Sequence, residues 1–244
     1  MTQPFLERTA AARERVRALS LAATPRWYNP WLHLGATTGI AVLCLVLGAL
    51  MLHGVKPLEW LVVPAVFVFA NGFEWRAHKD VLHRRLPFPL SDVYDRHTPR
   101  HHAVFMTNDM TIRSTREFRM VLMPAVGVAA IVVAISPFAL LVSWLFGANA
   151  GWLVLVSGGV YMVTYELTHL AYHLPPGSFI GRLSLVRVLR HHHARHHDPR
   201  LMNKWNFNVT FPLFDLVHGT IAPKELGERA EADAAVMEDR SSVT

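Results

Sequence analysis

Cysteine is nearly missing from this chain: its 244 residues include one, Cys44, set inside an apolar run. A single cysteine forms no intrachain disulfide and is too few for a thiolate metal site. Charge is scarce as well. Asp, Glu, Lys and Arg make up 17% of the residues against 52% hydrophobic ones, and the apolar residues are gathered in long runs rather than dispersed, which points to a bilayer. The formal net charge is +6, yet no basic stripe interleaved with aromatics accompanies it, so nucleic acid is not an expected partner. The first thirty residues are polar and arginine-rich. With no apolar segment ahead of a small-residue cleavage site, they predict no secretory signal.

The apolar runs predict four membrane spans: Leu34 to Leu52, Leu58 to Trp75 with a kink at Pro64, Met120 to Phe146, and Gly151 to Tyr172. The third contains Pro124 and Pro137 and reads as one kinked span or a span with a re-entrant end. Each is long enough for a hydrocarbon core of roughly 30 Å. Two short turns join them in pairs, and 23 of the 24 Lys and Arg residues then fall on one side, with Lys56 the exception. Basic residues collect on the cytoplasmic side, so both termini and the polar segments are expected there. Residues 1–32 are expected to be an amphipathic helix on the membrane surface, with Trp27, Tyr28 and Trp31 at the interface. Residues 33–224 form the membrane domain, and 225–244 read as a disordered polar tail.

Against these absences stands a surplus of histidine, fifteen in all. Ten occur in four clusters: His78 and His83; His97 with His101-His102; His169 and His173; His193 with His196-His197. All four belong to the expected cytoplasmic face. Histidines three or four residues apart share a helical face and can reach one metal. That relation holds for His169 with His173, His97 with His101, and His193 with His196 and His197. Adjacent members such as His101-His102 point apart, so one can serve each of two metals. His78 and His83 are five apart, which requires either a distorted helix or two different metals. An all-imidazole shell suits Fe, Zn, Cu or Ni better than Mg or Ca. At the ends of apolar helices, such a site fits oxygen activation on a buried alkyl chain.

The order and spacing of these clusters resemble the membrane fatty acid hydroxylase / sterol desaturase superfamily. So does the segment Asn206-Phe207-Asn208-Val209-Thr210-Phe211-Pro212-Leu213-Phe214-Asp215, with Gly219-Thr220 beyond it. The match spans roughly residues 60–222. The resemblance implies an all-α integral-membrane fold of four helices with a cytoplasmic helical cap. It also implies a di-iron centre held by His78, His83, His97, His101, His102, His169, His173, His193, His196 and His197, and O2-dependent hydroxylation or desaturation of a membrane lipid. Zinc is the expected substitute metal. The second cluster has three residues before its pair where the family often has two, and Asn208 stands where glycine is usual. No cytochrome-b5-like segment precedes the spans, so electrons are expected from a separate ferredoxin or cytochrome with its reductase.

Further candidates surround the ten. Glu166 precedes His169 by three residues and is expected to accept a hydrogen bond from a ligand imidazole; Glu74 and Asp80 are similar. Asn206 or Asn208 is a candidate to hold a metal-bound water. His191 and His192 flank the last cluster, whereas His33, His53 and His218 have no ligand spacing. A carotenoid ring hydroxylase is the alternative enzyme, and a membrane protein with structural zinc the alternative non-enzyme. A metal transporter is disfavoured because the stretches 34–52 and 120–165 contain no charged residue, and transport needs polar groups at the midplane.

Overall fold

A computed structural model describes residues 3–228, with side chains from residue 10 onward. The elements in order are α1 (Gln3–Ala22), α2 (Pro30–Met51), α3 (Val62–Ala77), α4 (Leu90–Arg96), α5 (His102–Val104), α6 (Phe118–Val121), α7 (Ala125–Phe146), α8 (Ala148–His173), α9 (Ser184–His196) and α10 (Leu213–Val217). Two π-helical turns, His78–Leu82 and His97–His101, lie among them. Three segments are long and apolar enough to cross a membrane: α2, the stretch Thr115–Phe146 that contains α7, and α8.

Helix α8 is central, packing against α2, α3 and α7. Small residues permit the close approach that membrane helices use in place of hydrophobic exclusion. A Cβ on Gly151 would lie 2.7 Å from the Ala139 carbonyl of α7, and one on Gly159 3.2 Å from Cys44 of α2. At one end of the bundle the two connecting turns meet. The His53 N–H donates to Asn149 Oδ1 at 3.1 Å, and Asn149 Nδ2 donates to the His53 carbonyl at 2.9 Å. The histidines lie at the other end, where α3 and α8 finish and a polar helical layer closes over them.

Two expectations are corrected. Pro64 makes no mid-span kink: α3 begins at Val62, so Pro64 sits in the first turn, where a missing N–H costs nothing. The second expected span is thereby divided into a 3-10 turn, Glu59–Leu61, and the 16-residue α3. The third apolar run is also divided. Extended backbone at Leu122 and Pro124 separates α6 from α7, which continues through Pro137 to Phe146. Helix α1 is fastened to the polar layer. Arg17 pairs with buried Glu117 at 2.6 Å, Arg13 approaches Asp109 at 3.5 Å, and Arg113 grips Glu14 at 2.8 Å. Trp27 and Trp31, beside the start of α2, are exposed. Residues 224–228 form a helical turn, and the rest of the expected tail lies outside the described residues.

Candidate metal centre

The ten clustered histidines come together as two groups of five: His78, His83, His97, His102 and His196; and His101, His169, His173, His193 and His197. Within each group the ligand atoms lie within 4.8 Å of one another and are buried. Neither group contains a carboxylate or thiol. The groups adjoin: the His102 and His197 rings stack at 4.2 Å, and His97 and His101 at 5.3 Å. Each group takes four ligands from one half of the chain and one from the other. His196 crosses into the first group and His101 into the second.

The partition follows from helix geometry. His78 and His83 share a group because the intervening backbone is π-helical, and a π turn brings residues five apart onto one face. The second π turn does the same for His97 and His102. It also absorbs the additional residue in that cluster, so His97 aligns with His102 rather than with His101, as α-helical spacing had suggested. In α9, His193 shares its group with His197, four residues on, at 4.5 Å between ring centroids; His196 is 6.0 Å away and belongs to the other group. Both adjacent pairs, His101-His102 and His196-His197, divide between the groups as expected.

Backbone carbonyls select the tautomers. The Nδ1–H of His101 donates to the Met120 carbonyl at 2.9 Å, that of His173 to Met110 at 2.7 Å, and that of His196 to Trp205 at 3.0 Å. His78 and His197 donate likewise to the carbonyls of Phe207 and Phe105. Thr98 Oγ1 donates to the Leu82 carbonyl at 2.7 Å and so accepts from His83 Nδ1 at 3.2 Å. A carbonyl accepts only, so these rings carry their proton on Nδ1 and present a lone pair at Nε2.

Those lone pairs face one another. His83 and His196 approach at 3.0 Å between Nε2 atoms, and both have Nδ1 occupied as a donor, so neither Nε2 has a proton to share. The His173 Nε2 is buried with no hydrogen-bond partner. Converging lone pairs without a proton are what a cation satisfies, and neutral imidazole is the ligand form for divalent transition metals. Burial keeps the rings neutral: desolvation lowers the His101 pKa to about 4 and that of His83 to about 2. It also holds His78, His97, His102, His193, His196 and His197 well below the usual imidazole range. The residues therefore fit two metal ions, with chemistry suited to iron, zinc, copper or nickel.

The other sequence candidates are placed elsewhere. Glu166 accepts from the Met123 backbone N–H at 3.1 Å, and no imidazole is among its partners. It acts at one remove, on the bend at Met120–Met123 whose carbonyl holds His101. Asn206 spends its side chain on backbone, donating to the His192 carbonyl at 2.9 Å and accepting from Ala222 N–H at 2.7 Å. Asn208 does the same with the Asn71 carbonyl and Asp215 N–H, so neither amide is directed at a metal-bound water. Asp80 pairs with Arg76 and Arg84. His192 bonds to Asp215 at 3.0 Å, His33 to Tyr28 and the Met123 carbonyl, and His218 stacks on Trp75 at 4.1 Å. Sequence reasoning missed the carbonyls and Thr98, because backbone groups leave no compositional signal.

Comparison of the chain with protein-family models, curated proteins and solved structures finds no match.

Proposed function

We propose that the protein is an integral-membrane oxidoreductase that uses dioxygen to hydroxylate, or alternatively desaturate, a membrane lipid such as a fatty acyl chain or sterol-like lipid. The observation that carries this reading is the pair of abutting five-histidine groups at the ends of apolar helices. A pair of irons bound there would supply the redox chemistry that reduces dioxygen. Hydroxylation consumes one O2, two electrons and two protons, converting C–H to C–OH and releasing water. The electrons come from a separate ferredoxin or cytochrome with its reductase.

The protein's own groups supply position and dryness. His78 continues directly from α3, and His169 and His173 finish α8, so apolar surface runs up to the ligands without an intervening polar loop. Buried imidazoles fixed as Nδ1 tautomers are ready for metal without rearrangement. In this reading α3 is the fourth span, the polar layer is a cytoplasmic cap, and both termini are cytoplasmic, as the basic residues require.

The test is lipid mass spectrometry of cells expressing the wild-type chain or His193→Ala, with and without oxygen and with a reductase system supplied. Wild type alone should yield an oxygen-dependent lipid carrying one added oxygen, or lacking two hydrogens in the case of desaturation. An unchanged lipid profile in several hosts would overturn the enzyme reading in favour of structural metal.

A further inference from the structure

We propose that Glu74 and Asp215 are positioning residues for one histidine group: together they clamp the backbone of residues 205–210, whose carbonyls fix the rings of His78 and His196. This rests on the metal-binding part of the reading above and is independent of the substrate.

Glu74 lies one helical turn before His78 on α3 and is buried. Its Oε2 accepts from the Tyr161 hydroxyl at 2.5 Å and the Thr210 hydroxyl at 2.6 Å. Its Oε1 accepts from Thr210 N–H at 3.1 Å and also from Val209 N–H. Asp215, fully buried, accepts from Phe207 N–H at 2.9 Å, Asn208 N–H at 2.8 Å, Thr220 Oγ1 at 2.7 Å and His192 Nε2 at 3.0 Å. Four consecutive backbone N–H groups, from 207 to 210, thus end on two buried carboxylates. A buried carboxylate is costly unless its lone pairs are filled, and hydrogen bonds to a charged acceptor are the strong ones. Here the two acids fill theirs from a single stretch of chain.

With four N–H groups held by the two carboxylates, alternate carbonyls of this stretch are left for other partners. The Trp205 carbonyl receives His196, the Phe207 carbonyl receives His78, and the Val209 carbonyl receives the Tyr172 hydroxyl at 2.9 Å. Asn206 begins the stretch with a φ of 59°. Close seating on α3 is possible because a Cβ at Gly72 would lie 2.7 Å from the Phe214 ring. Asn71 completes the seat, donating to the Phe211 carbonyl at 2.8 Å and accepting from Phe214 N–H at 3.1 Å. The carbonyls that hold His101, His173 and His197 belong to Met120, Met110 and Phe105, outside this stretch. Among the rings held by carbonyls, the stretch therefore holds only His78 and His196, both members of the His78, His83, His97, His102 and His196 group.

The experiment is a cobalt(II) titration of the metal-free full-length chain in detergent, following the visible absorption bands and counting metal per chain. Wild type should bind two ions. Glu74→Ala and Asp215→Ala should each bind one, with a spectrum matching His196→Ala and not His193→Ala. Glu74→Gln retains an oxygen for the loop N–H groups, so it should bind two ions, one about tenfold more weakly. A merely structural role would weaken both ions alike and would not match one ligand variant. Retention of both ions at wild-type affinity in Glu74→Ala and Asp215→Ala overturns the proposal. So does joint loss of both ions in Glu74→Gln with helicity intact by circular dichroism. A wild-type chain that binds no cobalt instead overturns the metal centre itself.

Discussion

An imidazole can offer a metal either of its nitrogens, and for six of the ten clustered histidines backbone carbonyls and one threonine make the choice. Outer partners of this kind typically govern metal affinity by 10–100-fold. Thr98→Val removes the oxygen that accepts from His83 Nδ1. It should weaken one of the two ions by about tenfold and leave the other unchanged, as measured by competition with a chelator. Burial has a second consequence in the metal-free chain. The folded pKa of His101 is about 4, against 6.5 for an ordinary histidine, because desolvation disfavours its charged form. At low pH the unfolded chain therefore binds the proton more readily than the folded one. Stability is complete above about pH 6.5 and is lost as pH falls through the folded pKa, by about 3 kcal/mol for this ring alone. The metal-free chain should melt at progressively lower temperature from pH 7 to pH 4; a flat profile would contradict the buried, neutral ring. At this scale the sequence was highly legible, since the ten clustered histidines are the ten that converge. Glu166 and Asn206 were harder to read, because a side chain that grips a distant amide shows nothing of its partner in spacing.

At the scale of elements, the two π turns decide which histidines belong together. Deleting Pro99 should convert the turn at His97–His101 to α-helical geometry and leave His97 and His102 four residues apart, still on one helical face. Both ions should be retained, as read by metal counting. Histidine identity was visible in the sequence, but the partition was not: α-helical periodicity pairs His97 with His101, and only a local change of helix type re-pairs it with His102. The same limit applied to α1. Its Arg17 is 4% exposed and answers Glu117, one hundred residues away, a partner that no local pattern reveals. Removing one partner of a buried ion pair leaves an uncompensated charge. Arg17→Ala should cost about 3–5 kcal/mol, while the paired replacement Arg17→Met with Glu117→Leu should cost much less. Thermal melts of the two variants make the comparison.

For the molecule as a whole, the apolar runs were the legible feature: four were expected to cross a membrane, and three segments among the described residues are long and apolar enough to do so. What they could not give was the junction of the two turns through Asn149 and His53, since neither residue has a pattern to mark it. That junction and the histidine groups occupy opposite ends. In a Cys44→Ala background, His53→Cys in intact cells should react with a membrane-impermeant maleimide, and Arg84→Cys only after permeabilisation; the reverse result would invert the topology. Lastly, the four-plus-one sharing of ligands would make each bound ion a staple. Residues 78–102 supply four ligands to one group and lend His101 to the other, while residues 169–197 supply four and lend His196 back. Each half supplies the fifth histidine of the other's group, so loading the metals would amount to a reciprocal cross-link between the first and second helical pairs. A chain divided at Gly147 should reassemble from its two fragments when metal is present, and drift apart when a chelator removes it.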